Sequence, residues 1–133
     1  MNSRINDKII EIQKFLEELE SILPNSLDEY LTDFKIKAVC ERYFEKIIEA
    51  VIDLGFLIIK ENGFKTPEDD KNVFDILRDE KIISEVLAEK LKDAKGMRNI
   101  IAHEYGKIND ELIFEAVTEQ LLGDVNNFLK ELK

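Results

Sequence analysis

Residues 51–59, Val-Ile-Asp-Leu-Gly-Phe-Leu-Ile-Ile, are apolar except for Asp53 and Gly55. A helix that is apolar almost all round is typically buried on most of its sides. We therefore predict that this stretch is the most enclosed part of a helical bundle. It lies in a long helix that we expect to run from about residue 28 to residue 62, where Gly63 is a natural C-terminal stop.

The sequence before this long helix predicts a first amphipathic helix. Its apolar side chains recur at spacings of four and three residues, which is typical of a seam that packs against other helices. These residues are Ile5, Ile9, Ile12, Leu16, Leu19 and Leu23. Pro24 ends this helix, and Ser26 with Glu29 forms a capping box that begins the next one.

The remainder of the chain also has helical periodicity. A loop over residues 63–71 precedes a short helix near residues 73–77, and further helices are expected at about residues 81–103 and 110–132. The last of these is predicted to bury Phe114, Val117, Leu121, Val125 and Phe128. The predicted fold is all-α: a single domain, residues 1–133, forming one up-and-down bundle of four to five helices.

The composition agrees with a small intracellular helical protein. The chain has 133 residues, of which 44% are hydrophobic and 36% charged, and only five Gly and two Pro, too few for the many turns of an all-β fold. The single Cys40 excludes an internal disulfide framework and fits a reducing compartment. Since there is neither a secretory signal nor an apolar run of about 18 residues, we expect a cytoplasmic protein without a membrane partner.

The net charge of −10 argues against a general nucleic-acid binder, because phosphate backbones are bound by Lys and Arg. Basic residues are nevertheless concentrated in one part of the chain: Lys90, Lys92, Lys95, Arg98 and Lys107, against Glu89, Asp93 and Glu104. Taken singly, the lysines are most simply explained as part of a mixed, solvated helix face.

This basic part of the chain contains residues 98–105, Arg-Asn-Ile-Ile-Ala-His-Glu-Tyr, which we call the motif segment. Its His103 is the only histidine of the chain, and histidine is the side chain suited to both accepting and donating a proton near neutral pH. An alternative interpretation is structural, because a histidine cation at a helix C-terminus is favoured by the helix dipole.

Helical geometry divides the motif segment into two sides. The side predicted to face the core carries Ile100 and Ile101, together with Met97 just before the segment. Asn99 and His103 are expected on the opposite side, with Arg98 at its edge and about 140° from His103. This arrangement predicts a polar arc near the end of the helix, suited to a groove that two chains could share.

Arg98, His103 and Tyr105 reproduce an Arg-x4-His-x-Tyr signature, by which the chain resembles the HepT-like toxins of the HEPN superfamily. Asn99 matches the polar residue that commonly follows the arginine in that superfamily. The similarity extends over most of the chain, although the motif segment carries nearly all of its specificity.

The resemblance implies a metal-independent endoribonuclease that needs no cofactor and whose site is assembled across a homodimer. It also implies the toxin of a type II toxin–antitoxin pair, neutralised by a minimal nucleotidyltransferase antitoxin. In such pairs the motif tyrosine, here Tyr105, is adenylylated by the antitoxin. The plain alternative is a tyrosine that only forms a hydrogen bond near a helix end.

The chemistry can also be reasoned from the residues. RNA supplies its own nucleophile, the 2′-hydroxyl, so His103 would act as the general base on that group or as the general acid on the leaving 5′-oxygen. Arg98 would stabilise the charge on the transition state. Asn99 would orient the ring of His103 or contact a phosphate.

Two alternatives remain open at this stage. The same residues would also suit a non-catalytic helical module that binds a nucleotide or a nucleotidyltransferase partner. Separately, Glu41, Glu45, Glu49 and Asp53 follow one another at four-residue spacing. Without Glu-x-x-His pairs, a metal site is less favoured there than a solvated or interface stripe partly paired with Arg42 and Lys46. Cys40 is most simply a small core residue.

Overall fold

A computed structural model of the chain describes residues 3–103 and 109–132. These residues form seven α-helices and one π-helical turn. In chain order they are α1 (Ser3–Ile22), α2 (Leu27–Thr32), α3 (Phe34–Asn62), α4 (Asp70–Asp79), α5 (Glu85–His103), α6 (Asp110–Glu115), the π turn (Ala116–Gln120) and α7 (Leu121–Glu131). The described residues contain no strand, and the prediction of an all-α helical bundle is confirmed.

The long helix predicted from residue 28 is two helices. Asp33 between them has extended backbone angles, φ −109° and ψ 97°. Its side chain accepts hydrogen bonds from the backbone N–H groups of Lys35 and Ile36, and its own N–H donates to the carbonyl of Glu29. Asp33 therefore ends α2 and caps α3 at once, as expected of a residue that favours N-cap positions over helix interiors.

The predicted start of α2 and end of α3 agree with the structure. The Ser26 hydroxyl accepts from the N–H of Glu29, while the Glu29 carboxylate accepts from the N–H of Asn25 rather than from that of Ser26. Gly63 ends α3 with φ 69°, in the left-handed region where glycine carries no steric cost.

The core is built around α3, which packs against α1, α4 and α5. Within residues 51–59 most side chains are buried: Val51, Ile52, Leu54, Ile58 and Ile59. Phe56 and Leu57 are partly buried, and Asp53 is exposed. The seam of α1 lies against the same core through Ile5, Ile12, Leu16 and Leu19. The stretch predicted to be the most enclosed is therefore at the centre of the bundle.

The helix that carries the motif begins at Glu85, four residues later than predicted. Lys81 adopts φ 61°, a conformation that no α-helix continues. Ser84 then supplies a hydroxyl that accepts from the N–H of Leu87 and so caps the first turn of α5. From there α5 runs to His103.

The last predicted helix is interrupted by the π turn at residues 116–120. Four of its five predicted core residues are buried: Val117, Leu121, Val125 and Phe128. Phe114 is partly buried and contacts the ring of Tyr30, with ring centroids 5.6 Å apart. Among the described helices, none is long and apolar enough to cross a bilayer.

Candidate functional site

Arg98 lies on the side of α5 that faces the bundle, which corrects the predicted division of the motif segment. It follows the fully buried Leu91 by seven residues, so the two point in directions only about 20° apart. Ile101 is buried and Met97 partly buried, as predicted, but Ile100 is 40% exposed. The buried side of α5 is therefore rotated relative to the prediction, and it includes the arginine.

Two groups hold the guanidinium of Arg98. Its Nη2 donates to Oε1 of Glu49 on α3, forming an ion pair between the two helices. Its Nη1 donates to Oδ1 of the adjacent Asn99 at 3.3 Å. The remaining nitrogen, Nε, is buried without an acceptor among the described residues. The arginine side chain stays 21% exposed, so one part of a fixed cation reaches the surface.

Asn99 is held by a second cation. Lys95, one turn earlier on α5, donates from Nζ to the same Oδ1 at 2.6 Å. The residue is only 7% exposed, and Nζ also lies 3.7 Å from the Oδ2 of Asp70 at the start of α4. Asp70, Lys95, Asn99, Arg98 and Glu49 thus form a continuous polar chain across α4, α5 and α3.

His103 is the last residue of α5 and is exposed. It follows Asn99 by one turn and lies about 140° around the helix from Arg98. The structure therefore brings Arg98 and Asn99 into contact, while His103 presents its ring from a different side of the helix end. Tyr105 lies outside the described residues, as does Lys107.

The lysines and the arginine of α5 are paired with carboxylates on other helices. Besides Lys95 and Arg98, Lys90 lies 3.8 Å from Asp124 and Lys92 2.9 Å from Asp75. The concentration of positive charge seen in the sequence is thus largely neutralised within the chain. A phosphate would have to compete with Glu49 for Arg98, the basic residue that also belongs to the motif.

The acidic stripe of α3 divides among several partners. Glu45 lies 4.0 Å from Arg42, as the sequence indicated, and Asp53 lies 3.8 Å from Lys8. The predicted pairing with Lys46 is not observed; its Nζ lies over the rings of Phe15 and Tyr43, 4.4 and 4.8 Å from their centroids. Among the described residues no group of three or more His, Cys, Asp or Glu side chains could hold a metal ion.

The first member of this stripe, Glu41, has a raised pKa. Burial is the largest cause, and the charges of Asp110 and Glu45 add to it, while Lys37 opposes it. Burial likewise raises the pKa of the neighbouring Cys40 thiol to about 11, with a contribution from Glu41. Cys40 is fully buried, in agreement with its prediction as a core residue.

Sequence reasoning did not assign Glu49, Lys95 or Asp70 to the site. Two weak signals pointed to them: the i, i+4 spacing of Lys95 and Asn99, which places them on one face, and the four-residue spacing of the α3 carboxylates. Neither signal indicates which carboxylate reaches which cation across helices.

Comparison with known proteins identifies the family. Residues 12–132 match the family model described as Ribonuclease HepT-like. The chain is 24% identical over 133 residues to the mRNA nuclease HepT of Shewanella oneidensis, covering all of this chain and 98% of that protein. It is 28% identical over 107 residues to the tRNA nuclease HepT of Aphanizomenon flos-aquae, covering 80% of this chain and 73% of that protein.

A solved structure has the same fold. The tri-AMPylated HEPN toxin of Shewanella oneidensis, determined in complex with its MNT antitoxin, superposes with a TM-score of 0.92 at 23% identity, covering 99% of this chain and 98% of the toxin. The HEPN-like bundle predicted from the motif is therefore confirmed at the level of the fold.

Proposed function

This chain belongs to the Ribonuclease HepT-like family, and from that membership we propose that it is a metal-independent endoribonuclease toxin. The relatives named as an mRNA nuclease and a tRNA nuclease support RNA as the substrate class. The observation that carries the proposal for this chain is the guanidinium of Arg98, which Glu49 and Asn99 hold in place and which is partly exposed, five residues before the exposed His103.

The reaction needs few groups from the protein. The 2′-oxygen of a ribose attacks the adjacent phosphorus, and the bond from phosphorus to the 5′-oxygen breaks, leaving a 2′,3′-cyclic phosphate and a 5′-hydroxyl. His103 takes the proton of the 2′-hydroxyl or gives one to the departing 5′-oxygen. Arg98 stabilises the negative charge on the phosphorane-like transition state, where charge-assisted hydrogen bonds are strongest.

We place this site at the interface of a homodimer. In one chain Arg98 and His103 point about 140° apart, so one phosphate is reached more readily if two motif segments face one cleft. With one histidine per chain, the acid and the base then come from different protomers. The 40% exposure of Ile100 supports this arrangement, because a large apolar side chain within the motif would be covered by the second chain.

The partner that neutralises this toxin is proposed to be a minimal nucleotidyltransferase. The support is the Shewanella oneidensis toxin, which is AMPylated and bound to an MNT antitoxin. Tyr105 would be the acceptor: its phenol oxygen attacks the α-phosphorus of ATP, pyrophosphate leaves, and the attached AMP adds negative charge that repels RNA. Since RNA and such an antitoxin meet inside the cell, we propose a cytoplasmic location.

RNA cleavage in the presence of EDTA tests the activity. We expect the unmodified protein to leave 2′,3′-cyclic phosphate ends, and His103→Ala and Arg98→Ala to abolish this product. Mass spectrometry must first show that Tyr105 carries no AMP, because a modified toxin would not cleave RNA. An unmodified, folded dimer that leaves RNA intact would rule out the ribonuclease.

A second candidate function is a non-catalytic module that binds a nucleotide or the nucleotidyltransferase with the same residues. The net charge of −10 and the paired lysines of α5 favour it, because both weaken RNA binding. Binding of RNA or of AMP by His103→Ala with unchanged affinity, together with no cleavage by the parent protein, would support this module instead.

A further inference from the structure

We propose that Lys95 is a positioning residue that fixes the side-chain amide of Asn99, so that its Nδ2 N–H groups face the RNA. The inference rests on the proposed ribonuclease function and extends it to a residue outside the motif. Among the charged residues of α5, Lys95 is buried, at 7% exposure.

Burying an ammonium group costs free energy unless its N–H groups find hydrogen-bond acceptors and its charge is paired. Other lysines of α5 keep more of their side chains in water: the side chain of Lys92 is 26% exposed, and that of Lys95 is 9% exposed. The shortest contact of Lys95 is not to a carboxylate but to the neutral amide oxygen of Asn99, at 2.6 Å, whereas the Oδ2 of Asp70 is 3.7 Å away. The main contact of the Lys95 ammonium group therefore orients the side-chain amide of Asn99.

The chemistry of the two donors decides the orientation of that amide. Lys and Arg side chains donate hydrogen bonds and accept none. Because Lys95 and Arg98 both approach Asn99, its oxygen must face them, and the NH₂ group must point the other way. If Lys95 were absent, Arg98 at 3.3 Å would be the remaining cation to hold the oxygen in place.

The direction left to the NH₂ group is useful for catalysis. Asn99 is one turn before His103 on the same face of α5. N–H donors that turn away from Lys95 and Arg98 would therefore be available to an RNA phosphate held beside the histidine. An amide with fixed polarity is a preorganised donor and does not reorient during the reaction. Asn99 would then contact the substrate, and Lys95 would act through Asn99.

The test compares two lysines on the same helix. Lys95→Met removes the ammonium group that contacts Asn99. Lys92→Met is the matched control, because Lys92 also pairs with a carboxylate of α4 but does not contact Asn99. Its partner is Asp75, at 2.9 Å. We expect Lys95→Met to lower kcat by roughly 10-fold to 100-fold with little change in KM, as for a displaced catalytic contact. Lys92→Met should leave kcat unchanged.

A double-mutant cycle separates positioning from a general structural effect. In an Asn99→Ala background, Lys95→Met should produce no further loss of kcat, because the group it orients is gone. An equal loss of kcat with and without Asn99, or a loss as large for Lys92→Met, would overturn the proposal.

A readout without RNA keeps this inference distinct from the proposed function. The NMR signals of the Asn99 side-chain NH₂ should shift and exchange faster with water in Lys95→Met than in Lys92→Met. If the signals respond in this way but the parent protein cleaves no RNA, the amide positioning stands and the ribonuclease assignment fails. If the signals are identical in both variants, the positioning role fails, whatever the activity.

Discussion

Arg98 on α5 and Glu49 on α3 form an ion pair in which the arginine Nη2 donates to the carboxylate Oε1. The pair joins residues 49 positions apart in the chain and fixes the guanidinium before any substrate arrives. Since both side chains are partly exposed, at 21% and 42%, its contribution to stability should be no more than about 1 kcal/mol. Its importance is therefore expected in catalysis rather than in folding.

Two substitutions of Glu49 should separate two effects of its carboxylate: it fixes the Arg98 side chain, and its negative charge repels RNA. Glu49→Gln keeps a carbonyl oxygen that accepts from Arg98 but removes the negative charge, so we expect kcat to persist and KM to fall. Glu49→Ala removes both, and kcat should drop by about 10-fold or more because the arginine is no longer fixed. Steady-state RNA cleavage at low and high salt measures both constants.

Glu45→Gln is the control for lost charge. Glu45 lies one turn from Glu49 on α3 and is paired with Arg42 rather than with Arg98. The interpretation of Glu49 would be wrong if Glu49→Ala retained the parental kcat, or if Glu45→Gln lowered KM as strongly as Glu49→Gln.

Arg98→Lys should fold normally but lose most of the activity. The guanidinium reaches Glu49 and Asn99 with two different nitrogens, and a lysine ammonium offers one point charge in place of this fork. We expect kcat to fall by about 10²-fold to 10³-fold, comparable to losing one transition-state donor. Single-turnover cleavage gives the chemical step, and circular dichroism checks the fold; a lysine variant with parental kcat would show that charge alone is sufficient.

The helices could largely be predicted from the sequence, because apolar spacing and caps are local. Ser26 and Gly63 were placed at helix ends by rules that depend on a few neighbouring residues. The break at Asp33 was missed because no Pro or Gly marks it, and the late start of α5 was missed because Lys81 is an ordinary residue with a left-handed backbone. The π turn was missed because no local residue pattern specifies its extra residue.

The site was harder to predict than the fold. The motif identified Arg98, Asn99 and His103, but the predicted rotation of α5 was wrong, because it put Arg98 at the edge of the polar side and Ile100 in the core. Arg98 can lie partly buried because Glu49 and Asn99 accept its hydrogen bonds. A pairing between α3 and α5 depends on how the helices pack, so the spacing of charges along either helix could not reveal it.

Gly55 is predicted to be essential for the contact between α3 and α4. A Cβ at this position would collide with Cγ1 of Val73, a β-branched side chain with little freedom to rotate away. We expect Gly55→Ala to lower the free energy of unfolding by about 1–3 kcal/mol, as in other overpacked cores. Urea denaturation followed by circular dichroism measures this value.

Two further variants control the glycine experiment. Val73→Ala should relieve the collision, so the double variant should be more stable than the sum of the two single changes predicts. Gly123→Ala, in α7, meets no atom within 4 Å and should stabilise the protein by about 0.5–1 kcal/mol. Equal effects at Gly55 and Gly123 would show that helix propensity, and not close packing, decides the result.

Replacing Glu41 should stabilise the protein at neutral pH. Burial and neighbouring carboxylates raise the pKa of Glu41 in the folded state above its ordinary value of 4.5, so the folded protein binds this proton more tightly than the unfolded chain. The stabilisation linked to the protonated form is complete below the ordinary value and is lost as the pH rises through the folded pKa. At pH 7 the ionised carboxylate therefore costs stability, and Glu41→Gln removes that cost.

We expect the unfolding midpoint of Glu41→Gln to exceed that of the parent protein at pH 7, and the difference to shrink at pH 4, where the Glu41 carboxyl of the folded parent is largely protonated. Thermal unfolding at the two pH values measures it. Glu20→Gln, exposed on α1, removes the same charge and serves as the control for the net charge of −10. A gain that is the same at both pH values, or an equal gain in Glu20→Gln, would contradict the raised pKa of Glu41. Only a partly buried carboxylate gives a gain that is specific to position 41 and that fades as the carboxylate becomes protonated.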